Sequence, residues 1–68
     1  MSIAKVTEVK VSSPTSFDDA IKEGIIRANK TLKNVKSAWL KDFEVMVDGD
    51  GKITEYRILM KVTFILED

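Results

Sequence analysis

The sequence predicts an α+β fold of order β-α-β-β, in which one helix packs against a three-stranded antiparallel sheet. Three observations carry this expectation: a single helical stripe of apolar residues, strand-like alternation on either side of it, and a doubled Asp-Gly turn ahead of the last strand.

Ile3 to Val11 mixes β-branched residues with Lys, Thr and Glu and reads as the first strand. Ser12-Ser13-Pro14-Thr15-Ser16 interrupts that pattern and prepares a helix start. Ser16 is the expected N-cap, and Asp18 and Asp19 in the first turn suit the helix dipole. Asp19 also completes a weak capping box, a motif that more often ends in Glu or Gln. From Phe17 to about Lys33, the apolar residues Phe17, Ala20, Ile21, Ile25, Ala28 and Leu32 recur at steps of three and four, skipping one turn at Gly24. Lys30 and Lys33 lie in the last turns and Asn34 is the expected stop. Gly24, which costs ~1 kcal/mol against Ala in a helix, and the off-stripe Ile26 together predict close approach of a second surface.

Strand character resumes after Val35-Lys36 and runs to Val47. In a regular strand Ser37, Trp39, Lys41, Phe43, Val45 and Val47 share one face. Apolarity switches parity between Leu40 and Phe43, which predicts a bulge near Lys41–Phe43. Asp48-Gly49-Asp50-Gly51 is a hairpin turn, since Asp-Gly pairs supply positive φ. Its likeness to a calcium loop is superficial, because Lys52-Ile53 does not continue the EF-hand pattern. The third strand spans Lys52 to Leu66, with Tyr56, Ile58, Met60, Val62, Phe64 and Leu66 forming the face that meets the helix.

The chain has 68 residues, enough for one domain over residues 1–68, with 11 Lys+Arg against 11 Asp+Glu and no His or Cys. A chain of about 60 residues buries only ~60% of its unfolded surface, so its own core is marginal. Disulfides and ordinary zinc, copper, haem or iron–sulfur sites are excluded by composition. Triads, Cys nucleophiles and imidazole acid–base chemistry are excluded too, and a non-enzymatic protein is expected. The balanced charge predicts no nucleic-acid partner. No apolar run reaches the ~18 residues of a membrane span. Met1-Ser2-Ile3-Ala4-Lys5 leads straight into strand sequence, not a secretory leader, so a cytoplasmic protein is expected. Self-association remains as the means of stabilisation. It fits a sheet face opposite the helix that carries Trp39, Phe43 and Leu59 where a monomer would be polar.

The segments Ser12-Ser13-Pro14-Thr15-Ser16, Phe17-Asp18-Asp19-Ala20-Ile21, Arg27-Ala28-Asn29-Lys30-Thr31-Leu32 and Tyr56 to Asp68 resemble the dodecins over essentially the whole chain. The resemblance implies a hollow homododecamer with helices outside and sheets curving inward. It further implies storage and protection of flavins (riboflavin, FMN or FAD), stacked in pairs between subunits against a second-strand Trp and hydrogen-bonded by a third-strand Gln. Here Ser37 stands at that Trp position, with Trp39 two residues on, and Arg57 stands at the Gln position. Ser37, Trp39 and Arg57 are therefore the candidate flavin residues. Trp39 has the alternative role of interface anchor, and Arg57 that of an inter-subunit ion pair with Glu55 or Glu44. Dodecins without the Trp imply instead a shell that holds Ca²⁺ or Mg²⁺, or coenzyme A. The resemblance offers Arg27, Thr31 and Lys33 for coenzyme A phosphates, against the simpler role of cations at a helix C-terminus. The final Glu67-Asp68 reads as a solvated terminus, with acidic side chains that could collect cations near a symmetry axis.

Overall fold

A computed structural model describes residues 2–66. Strand β1 (Ile3–Ser13) leads into helix α1 (Phe17–Leu32), followed by β2 (Val35–Val47) and β3 (Ile53–Leu66). All pairing is antiparallel and the sheet order is β1-β3-β2, so the last strand is central. This position suits β3, whose helix-facing residues are continuously apolar. Ile58, Met60 and Val62 have no solvent exposure and, with Ala20 of α1, form the core. Burial of each such large side chain contributes about 1.5–3 kcal/mol. Phe17, Ile21, Ile25 and Leu32 complete the helix stripe against this cluster, as their spacing predicts.

The helix start is built from side-chain hydrogen bonds. The Ser16 hydroxyl accepts from the Asp19 N–H at 2.9 Å, a cap worth about 1 kcal/mol. The Asp19 carboxylate does not return to the N-cap as a capping box requires; it accepts from the Ser13 hydroxyl at 2.6 Å. Ser13 Oγ also accepts from the Thr15 N–H at 2.9 Å. Ser13 is the one buried polar residue among those described. Because this knot uses Ser13, β1 continues two residues past its expected end at Val11. The helix stops at Leu32, with Lys33 and Asn34 at positive φ (61° and 52°). The Lys33 N–H returns to the Asn29 carbonyl at 2.9 Å.

Between β2 and β3 the Asp48 side chain organises the turn, accepting from the Asp50 and Lys52 N–H groups at 2.9 and 3.1 Å. Only Gly51 adopts positive φ (80°); Gly49 does not use the freedom expected of it. A turn closed by the Gly51 N–H on the Asp48 carbonyl, followed by one left-handed residue, needs a single such glycine.

The expected bulge in β2 is present. Leu40 pairs with Met60 and Asp42 with Leu59, leaving Lys41 without a partner, and a second shift leaves out Lys36. The first shift corrects the shared face expected for β2. Phe43 and Val45 pair with Ile58 and Tyr56, on the helix side, while Ser37 and Trp39 pair with Thr63 and Lys61, on the other. Phe43 meets the edge of the Phe17 ring at 5.2 Å between centroids, and Phe17 meets Tyr56 at 5.1 Å. Phe43 is thus removed from the face opposite the helix, which keeps Trp39 and Leu59.

The surface that approaches Gly24 is β1. A Cβ at residue 24 would lie 2.9 Å from Val11 Cβ and overlap its Cγ1. Ile26 faces outward and is half exposed. Gly24→Ala should therefore destabilise the protein by about 1 kcal/mol, overpacking exceeding the gain in helix propensity. Denaturant unfolding at fixed protein concentration checks this, and the Val11→Ala background should abolish or reverse the loss.

Candidate ligand face

The sheet face turned away from α1 joins residues from all three strands without helix cover. Residue pairing places Ser12, Lys10, Glu8 and Val6 of β1 on it, beside Arg57, Leu59, Lys61 and Thr63 of β3. Ser37, Trp39, Asp42 and Glu44 of β2 complete it. All three candidate flavin residues, Ser37, Trp39 and Arg57, therefore share one face. They do not converge: Trp39 pairs with Lys61, four residues along β3 from Arg57, a separation of about 13 Å at strand rise.

Trp39 is 68% exposed, although Trp is a residue that proteins mostly bury. The Lys41 ammonium lies over its ring, 4.6 Å from the centroid. Lys41 is the unpaired bulge residue, so the same irregularity that sends Phe43 to the helix side brings a cation to Trp39. Its contact with the ring was not foreseen; the parity switch between Leu40 and Phe43 was its only signal.

Arg57 is engaged within its own chain. Its Nε donates to Glu55 Oε1 at 3.2 Å and its Nη2 to Glu55 Oε2 at 3.3 Å, a two-point pair along one strand face. Within one subunit Arg57 is thus already paired with Glu55, and Glu44 contributes a nearby charge. The Arg57 hydrogen bonds, with a further one from Ser12, hold the Glu55 carboxyl below its ordinary value of 4.5. Across Leu59, Lys10 Nζ lies 3.5 Å from Glu44 Oε1. Lys10, Glu44, Arg57 and Leu59, with Asp42 and the adjoining residue Phe43, line a shallow depression of about 360 Å³.

A larger groove, about 680 Å³, runs between α1 and the edge strand β1. Arg27 and Thr31 line it, together with Lys10, Ser12 and Glu23. Lys33 lies outside its lining and forms the helix C-cap. Among the described residues no three acidic side chains gather to hold a metal ion. Glu67 and Asp68 lie outside the described residues. Among the described residues no helix is long and apolar enough to cross a membrane.

The dodecin family model matches residues 3–67. The chain belongs to the dodecin family. As a dodecin it is 38% identical over 64 residues to calcium dodecin of Mycobacterium tuberculosis, covering 94% of this chain and 89% of that protein. The crystal structure of that calcium-chelating protein superposes with a TM-score of 0.82 at 32% identity, covering 96% of this chain and 91% of the other. Dodecin from Streptomyces davaonensis matches with a TM-score of 0.92 at 33% identity, covering 98% and 97% of the two chains. The β-α-β-β order with its antiparallel sheet is thus the dodecin fold throughout.

The Glu55–Arg57 pair has a defined pH signature. A carboxylate whose folded pKa is depressed stabilises above its unfolded pKa and loses that contribution as pH falls through the lower folded value. Arg57→Ala should lower the melting temperature slightly at neutral pH. The difference from wild type should fade below pH 4.5, as thermal melts across an acid series would reveal.

Proposed function

We propose that this dodecin is a non-catalytic cytoplasmic storage protein, one folded unit over residues 1–68. It assembles as a hollow homododecamer and stacks a flavin (riboflavin, FMN or FAD) against Trp39 between subunits. The observation that carries this reading is the exposed indole of Trp39 on a sheet face that α1 leaves bare. A flat apolar ring with a polar rim is the kind of ligand such a surface suits, because offset stacking adds to area burial. Ser37, next along the same face, is small enough to leave room beside the indole. Arg57 keeps N–H donors beyond the two engaged with Glu55, and these can donate to flavin carbonyls or phosphate. A ligand that is stacked and shielded needs no acid–base group, which agrees with a chain lacking His and Cys.

A second reading is favoured by the relationship to calcium dodecin: a shell that holds Ca²⁺ or a similar cation without flavin. Calcium takes six to eight oxygen ligands. One subunit gathers no acidic cluster among its described residues, so this site would draw carboxylates from several copies.

Flavin fluorescence separates the readings. Riboflavin or FMN should be quenched on titration with the assembled protein, and Trp39→Ala should weaken binding by about tenfold while the scattering mass stays unchanged, on the scale of one lost stacking contact. A variant that dissociates instead identifies Trp39 as an interface anchor. A colourless protein that quenches neither flavin, and melts at higher temperature with Ca²⁺, supports the cation reading.

A further inference from the structure

We infer that Lys41 sets the ligand preference of the Trp39 face, favouring a flavin that carries a phosphate over a neutral one. This inference rests on the stacking reading of Trp39 given above.

An indole has two faces, and one of those of Trp39 is covered by the Lys41 ammonium at 4.6 Å. A flavin ring that stacks there must displace this cation. Stacking on the other face leaves the cation–π contact intact, with the ammonium across the indole from the ligand. A neutral flavin that displaces Lys41 removes a cation–π contact and returns the ammonium to solvent. A flavin phosphate gives the displaced ammonium an anionic partner and a charge-assisted hydrogen bond. The flexible four-carbon stem of lysine allows that exchange without movement of the backbone.

Two structural facts make Lys41 available for this role. It is the residue left out of register by the bulge, so its position is not dictated by pairing with β3. Among the described residues it makes no ion pair, whereas Lys10, Lys22 and Arg57 each do. Lys61, paired with Trp39 across the sheet, adds a second cation on the same face. Asp42 and Glu8 also lie on this face and oppose an anion, which keeps the expected preference modest.

The test compares riboflavin with FMN by fluorescence quenching, using assembled wild-type protein, Lys41→Gln and Lys41→Arg. Wild type should bind FMN about fivefold more tightly than riboflavin, the scale of one partly exposed charge contact. Lys41→Gln should bring the ratio close to one, and Lys41→Arg should retain it. Added salt should shrink the wild-type ratio and leave that of Lys41→Gln unchanged. If both flavins bind and the ratio is the same in wild type and Lys41→Gln, the role of Lys41 is overturned while stacking on Trp39 stands. If neither flavin binds wild type, both ideas fall together.

Discussion

The arrangement of this protein depends on a mismatch of lengths. A helix of 16 residues is about 24 Å long, whereas a strand of 14 residues reaches about 46 Å. The subunit is accordingly a ribbon of 53 × 18 × 14 Å, with α1 over part of one face. Beyond the reach of the helix, Val45, Val47 and Ile53 near the hairpin remain substantially exposed. The opposite face has no cover at all. Apolar exposure of this kind in so small a chain is stabilised by contact with another surface, and the candidate ligand face lies within the uncovered area.

The bulge at Lys41 sorts side chains between the two faces. In a regular strand Phe43 and Trp39 would point the same way. The extra residue turns Phe43 toward Phe17 and Tyr56, where it extends the packing of the helix start. Trp39 is left on the bare side with Lys41 above it. Further along that side, the Glu55–Arg57 and Lys10–Glu44 pairs neutralise one another around Leu59. The face thus has a charge-satisfied end and an end where an aromatic ring and a cation remain open to a partner.

Much of this was legible in the sequence because it depends on local periodicity. The alternation along β3, the helix stripe from Phe17 to Leu32 and the Ser16 cap each follow from neighbours a few residues apart. A close approach at Gly24 was also legible, but its direction was not, since nothing local selects Val11 as the neighbour. The side on which Phe43 falls depends on which β2 residue is skipped in the ladder with β3, and that is decided by the whole sheet. Asp19 was readable as a helix-start acid. Its bond to Ser13 was not, because that needs the exact path of the turn through Pro14. For Arg57 the sequence offered an inter-subunit ion pair with Glu55 or Glu44 beside a ligand contact, and its pairing with Glu55 along the same strand depends on side-chain geometry that periodicity does not carry.

With β3 in the centre, β2 forms one border of the sheet, and its outer row of peptide groups has no partner within the chain. An intact border of 13 residues would be a template on which further strands could line up without limit. Both residues dropped from the ladder in β2, Lys36 and Lys41, are lysines. Each interrupts the regular spacing of that row. Growth by strand addition into fibrils is thereby obstructed, and copies of the chain are left to meet through their faces, where a finite, closed arrangement is possible.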